Sequence, residues 1–203
     1  MTDPICADEP DGRSPTVLIV DDEPAIRELF ELWVGERYPV ITAGDGETAL
    51  EHADEADVAL LDRTLPELSG TEVAERLDRE DQCRSVAFVS AVEPESPVVE
   101  LPCQEYLVKP VGREELLETV ERLVALSTYA DRLTECAALA SKKAALESAH
   151  PAGTLATDSE YQRVRGRFDE LLAELDRLVG RFDSTDYRMI FASGAFAPDG
   201  ATG

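Results

Sequence analysis

Histidine and lysine are scarce in this sequence, and its cysteines are unpaired in spacing. Its 203 residues include only two histidines, His52 and His150, and three lysines, Lys109, Lys142 and Lys143. Two histidines far apart argue against a His-rich metal centre or a catalytic triad. The four cysteines, Cys6, Cys83, Cys103 and Cys136, form no C-x-x-C pair. Free thiols in a reducing cytoplasm are therefore expected, not a disulfide frame or a zinc site. No apolar run approaches the length of a membrane span. The opening stretch, MTDPICADEPDGRSP, has neither a basic region nor an apolar one. It reads as a flexible tail over residues 1–14, not as a secretory signal.

Positive charge is scarce too. The formal net charge is −24, from 43 acidic and 19 basic residues. Such an excess repels phosphates and speaks against general nucleic-acid binding. A carboxylate-rich, lysine-poor surface resembles that of proteins from salt-loving organisms, where salt screens the self-repulsion. The charge is uneven: from Ser127 onward there are 12 acidic and 9 basic residues. That shift places a domain boundary near residue 126.

Five β-rich apolar runs are present: TVLIV (16–20), YPVITA (38–43), VALL (58–61), SVAFVS (85–90) and EYLVK (105–109). Several are continuously apolar, as in a parallel sheet covered on both faces. Helical stripes separate most of them. Ile26, Leu29, Phe30, Trp33 and Val34 make the first, Val73, Ala74 and Leu77 another, and Leu116, Leu117, Val120, Leu123 and Val124 the last. Alternating strands and helices imply an α/β doubly wound sheet, and five strands suit the flavodoxin-like order 2-1-3-4-5. The crossover after Ser90 holds Pro94, Pro97 and Pro102, so at most a short, irregular fourth helix is expected there.

Ligands bind such sheets beyond the carboxyl ends of the strands. In this chain those ends carry Asp21 and Asp22, Asp62, Ser90 and Lys109. A carboxylate at the end of a buried strand is costly without an external reason. Three carboxylates in one cleft would repel each other and raise each other's pKa values. A divalent cation removes that problem, and hard oxygen ligands suit Mg²⁺.

The set Asp21–Asp22, Asp62 followed by Pro66 and Gly70, Ser90–Ala91, and Lys109–Pro110 preceded by Tyr106 resembles the receiver domain of two-component response regulators, over residues 15–126. The resemblance implies that Asp62 accepts a phosphoryl group from a sensor histidine kinase. It implies Mg²⁺ held by Asp21, Asp22, Asp62 and the backbone carbonyl of Thr64, with Lys109 pairing the acyl phosphate. Ser90 would bond a phosphoryl oxygen, and Tyr106 would turn inward as that hydroxyl moves. Asp22 also suits a helix cap.

From Leu116 the helical pattern runs on, and residues 118–148 contain no Gly or Pro. Leu126, Ala130, Leu133, Ala137, Ala140 and Ala144 are the expected apolar seam. HPAGTLATDSE breaks the helix, and Thr157 with Glu160 matches a capping box. Tyr161, Val164, Phe168, Leu171, Leu175, Leu178 and Phe182 then step in threes and fours like a coiled coil. These helices could pack as an intramolecular hairpin; because two helices alone bury little surface, docking on the receiver or self-association as a homodimer is expected, with association favoured. Residues 127–195 resemble the all-α HalX domain found after receivers in haloarchaea; the resemblance supplies no biochemical role. No catalytic cluster follows residue 126, so no enzymatic output is expected. A phosphorylation-switched interaction module acting on an unknown downstream protein is one function. A DNA-binding regulator using Arg163, Arg165 and Arg167 is the other, although those arginines alternate with acids and read better as a solvated face. Residues 196–203 read as a second flexible tail, and MIFASGAF before them as a segment that could pack back on the hairpin.

Overall fold

The structure is a computed structural model and describes residues 13–79, 85–92, 101–180 and 182. The expected tails, the proline-rich crossover's centre and the MIFASGAF segment fall outside these residues, apart from Arg13 and Ser14.

The element order is β1 (Val17–Val20), α1 (Pro24–Val34), β2 (Val40–Ala43), α2 (Gly46–Glu51), a 3₁₀ turn (Ala53–Glu55), β3 (Val58–Leu61), α3 (Gly70–Arg79), β4 (Ser85–Ser90), β5 (Glu105–Val108), α4 (Arg113–Ala149), α5 (Ala152–Leu155) and α6 (Ser159–Val179). The chain divides into two compact units after Ser127, within α4.

In the first unit the strands form one sheet of order β2-β1-β3-β4-β5, all paired in parallel. This is the doubly wound order the sequence implies. The central strands are short and carry nothing but apolar side chains. Val17–Val20 and Val58–Leu61 are buried throughout, because helices cover both faces. β1, β2 and β5 are each shorter than their apolar runs. The register sets Val20 opposite both Ala43 and Leu61, and Leu61 opposite Phe88. The strand ends carrying acids are thereby level with one another.

Local chemistry starts each helix. Pro24 occupies the first turn of α1, where a missing N–H costs nothing. Asp45 caps α2 through Thr48 N–H at 2.8 Å. Ser69 and Glu72 form a reciprocal capping box on α3, with Ser69 N–H to Glu72 Oε2 at 3.0 Å and Glu72 N–H to Ser69 Oγ at 3.3 Å. Val73, Ala74 and Leu77 of α3 are buried against the sheet, as are Leu116, Leu117, Val120, Leu123 and Val124 of α4. The α1 stripe needs one correction: Leu29 is exposed, and Phe30 and Val34 are the buried residues of that helix.

The second unit is a helical hairpin. Tyr129 lies against Phe182, Arg132 pairs with Glu174, Arg167 with Glu135 and Tyr161 with Glu147. Partners rise on one helix as they fall on the other, so the two run antiparallel. Cys136, Leu171 and Leu175 form the centre, flanked by Tyr129, Leu133, Leu139 and Phe168. Three expectations are corrected here. Ala137, Ala140 and Ala144 are exposed, and the packing face of α4 instead runs through Tyr129, Leu133, Cys136 and Leu139. Phe182 lies beyond the end of α6. The cap of α6 is Asp158, which accepts from Glu160 N–H at 2.8 Å and Tyr161 N–H at 2.9 Å; Thr157 Oγ1 bonds the Thr154 carbonyl instead. No helix among the described residues is long and apolar enough to cross a membrane.

Candidate functional site

The β1 strand stops at Val20 because the next residues turn out of the sheet. Asp21 N–H still donates to the Ala43 carbonyl at 3.2 Å, and Asp21 Oδ1 accepts from Glu23 N–H at 2.9 Å. That short side-chain-to-backbone turn leads into α1 and leaves Asp21 buried and Asp22 exposed.

Beyond β3, Asp62 N–H donates to the Val20 carbonyl at 2.7 Å. Its Oδ1 accepts from Thr64 N–H at 2.8 Å. The loop that follows passes very close to it: a Cβ on Gly70 would stand 2.1 Å from the Asp62 carbonyl oxygen. Only glycine permits that approach.

Lys109 follows β5. Its N–H donates to the Ser90 carbonyl at 2.8 Å, and its Nζ bonds Asp21 Oδ2 at 2.6 Å and Asp62 Oδ2 at 2.5 Å. The side chains of Lys109, Asp21 and Asp62 are 11%, 3% and 8% exposed. Burial alone would lower the lysine's pKa. The hydrogen bonds and charges of the two carboxylates outweigh burial and hold it above its ordinary value.

One carboxylate oxygen from each of Asp21, Asp22 and Asp62 lies within 4.8 Å of the others. One ammonium facing three carboxylates leaves an excess of negative charge that suits a divalent, oxygen-seeking cation. The donor set therefore fits Mg²⁺.

At the end of β4, Ser90 is fully buried. Its Oγ accepts from Val92 N–H at 3.3 Å, and Tyr106 OH donates to the Val92 carbonyl at 2.5 Å. Tyr106 also packs against Phe88, with ring centroids 6.1 Å apart. Ser90 and Tyr106 are thus joined through the backbone of a single residue. Sequence reasoning did not reach Val92, nor Arg27, whose Nη1 donates to the Asp21 carbonyl at 2.5 Å. Both act on backbone atoms, which leave no trace in residue type.

The model for the response regulator receiver domain matches residues 17–121. The chain belongs to the response regulator receiver family. The HalX domain model matches residues 125–191, so this response regulator carries a receiver followed by HalX. A putative transcriptional regulator of Haloferax volcanii is 37% identical over 193 residues, covering 88% of this chain and 33% of the relative. The alkaline phosphatase synthesis transcriptional regulatory protein PhoP of Bacillus subtilis is 33% identical over 120 residues, covering 56% and 50%. The solved receiver domain of a putative Luxo repressor from Vibrio parahaemolyticus matches with TM-score 0.55 and 23% identity, over 58% of this chain and 95% of that one; this likeness speaks to fold. The response regulator spans about a third of the Haloferax relative's length and half of the Bacillus one's.

Receiver domains bind Mg²⁺ at an acidic cluster, and Asp21, Asp22 and Asp62 are grouped in that way. The relatives are named as regulators rather than enzymes.

Proposed function

We propose that Asp62 is the phosphoacceptor of this response regulator. The observation that carries the reading is the Lys109 ammonium bridging Asp21 and Asp62 in a buried pocket. An Asp62 carboxylate oxygen attacks the phosphorus of a phosphohistidine on the kinase. The P–N bond breaks, an acyl phosphate forms, and the imidazole retains the electron pair. Catalysis here is positioning and charge neutralisation. Asp21, Asp22, Asp62 and the Thr64 carbonyl would hold Mg²⁺, which would supply charge neutralisation at the phosphoryl oxygens. Lys109 turns from the free carboxylate to the acyl phosphate. Ser90 leaves Val92 N–H to donate to a phosphoryl oxygen, which frees Val92 and, through it, Tyr106.

The hairpin then serves as the interaction module, with a downstream protein or a second copy as partner. Its seam is already closed within the chain, since Leu171 and Leu175 are buried with Cys136, so a dimer would use another face. The relatives' names favour a transcriptional role as the second reading. Against direct DNA contact by the arginine cluster, Arg167 is paired to Glu135 and Glu174, and Arg165 to Asp169.

The test is phosphoryl incorporation. The full chain is incubated with Mg²⁺ and acetyl phosphate and read by intact-mass spectrometry. Wild type gains one phosphoryl group and Asp62→Asn gains none. Incorporation into Asp62→Asn would overturn the assignment.

A further inference from the structure

Arg27 sits on α1, one turn past the acidic pair, and its guanidinium turns back toward the sheet. Its Nη1 donates to the main-chain carbonyl of Asp21 at 2.5 Å, while its own N–H donates to the Glu23 carbonyl at 3.1 Å. Glu23 N–H in turn bonds Asp21 Oδ1. Asp21, the first residue after Val20, is therefore held through both its side chain and its main chain. The carboxylate of Asp21 is fixed by Glu23 and Lys109, and its carbonyl by Arg27. The guanidinium lies over Gly44, where a Cβ would stand 3.4 Å from Nη1 and 3.5 Å from Cζ. The next residue, Asp45, has its carboxyl held below its usual range mainly by its bonds to Thr48, with the charge of Arg27 the smallest contribution.

We propose that Arg27 is a positioning residue of the acidic cluster: by gripping the Asp21 carbonyl it fixes the turn carrying Asp21 and Asp22 and sets how tightly a divalent cation is held there. The inference rests on the proposed phosphoacceptor reading. Two effects of Arg27 oppose each other. Its positive charge repels a nearby cation, whereas its grip preorganises two ligands. The guanidinium bonds the carbonyl of Asp21 and not its carboxylate, which weakens the repulsion at the carboxylate side. The buried carbonyl of Asp21, left unpaired, would pull the turn toward other donors. Preorganisation therefore dominates.

Mg²⁺ binding to the full chain, measured by calorimetry without any phosphodonor, reads this directly. Arg27→Met weakens binding roughly five- to tenfold, the size expected for losing a charge-assisted bond to a buried carbonyl. Arg27→Lys, which retains the charge and one donor, stays within about threefold of wild type. With acetyl phosphate, Arg27→Met raises the half-saturating Mg²⁺ by the same factor and reaches the wild-type plateau at saturating Mg²⁺. Should Arg27→Met fail to fold, Arg27→Gln is judged by the same criteria. Unchanged or tighter Mg²⁺ binding in the neutral variant overturns the inference, as does a lowered plateau with unchanged Mg²⁺ dependence. A wild-type chain that binds no Mg²⁺ overturns the phosphoacceptor reading itself, which keeps the two failures distinct.

Discussion

Gly70 stands so close to Asp62 that a methyl group on it would overlap the Asp62 carbonyl oxygen, at 2.1 Å. The contact ties the first residue of α3 to the residue that ends the buried run of β3, and Gly70 N–H reinforces it by bonding the Arg63 carbonyl at 3.1 Å. Gly70→Ala must displace backbone, since no side chain can move aside. We expect a loss of about 2–3 kcal/mol of stability by urea denaturation, the upper range for overpacking, and weakened phosphoryl uptake. A variant as stable as wild type would show that the loop yields freely.

Lys109 bonds two buried carboxylates in this pocket. Lys109→Met leaves Asp21 and Asp62 facing each other without it. Phosphoryl incorporation from acetyl phosphate should fall at least about tenfold, since a point charge on the transferring group is lost. Stabilisation by Mg²⁺, seen as a rise in Tm, should grow, because the cation then relieves more repulsion. An unchanged Mg²⁺-induced Tm rise would contradict this.

The Cys103 thiol is pushed up to about 12, chiefly by burial and also by the charge of Glu105, against an ordinary value of 9.0. Between those values the folded chain keeps a proton that the unfolded chain releases. Its contribution to stability is therefore present below about pH 9 and declines as pH rises above it. In the native chain at pH 8.5, iodoacetamide should label Cys103 at least about tenfold more slowly than in urea, since the thiolate is the nucleophile. Equal labelling rates would show that the thiol is not sheltered.

In the hairpin, Arg132 is 6% exposed at its side chain and bonds Glu174 at 3.0 Å. Glu174 also receives Arg167, which in turn reaches Glu135. Arg132→Met should cost about 2 kcal/mol, the size of a lost bond to a charged group, because a largely buried Glu174 is left with Arg167 as its partner. The double variant Arg132→Met with Glu174→Met should recover most of that loss, since apolar side chains fill the same volume. Chemical denaturation of the four members of this cycle gives the coupling.

Asp158 and Thr157 are neighbours that both look like helix caps. Asp158→Ala should destabilise α6 by about 1 kcal/mol, and Thr157→Ala should change little. Equal effects in thermal unfolding would contradict the bonding seen at Asp158.

The sheet was legible because its strands are uninterrupted apolar runs, and the order followed from helices intervening between them. The acids at the strand ends were legible for the same reason: once the strands are placed, Asp21, Asp62 and Lys109 fall at one rim. Detail failed where several residues satisfy the same pattern. The stretch 136–140, CAALA, is apolar all round, so periodicity could not choose Cys136 and Leu139 over Ala137 and Ala140. At the start of α6 the S/T-x-x-E spacing drew attention to Thr157 while the better-placed carboxylate was one residue on. Leu29 matched the α1 stripe by spacing but lies at its margin. The Ser69–Glu72 capping box has its own S-x-x-E spacing in the sequence, but that spacing also occurs where no cap forms, as at Thr157.

The antiparallel hairpin is aligned by charge as much as by apolar packing, and its ion pairs differ in how far ionic solution reaches them. Lys142–Glu160, with both side chains about half exposed, would dissolve into the ion atmosphere of a brine. Arg132 is shut away from that atmosphere. A hairpin whose registry is written where dissolved ions penetrate least can keep its two helices in step across a wide span of salinity.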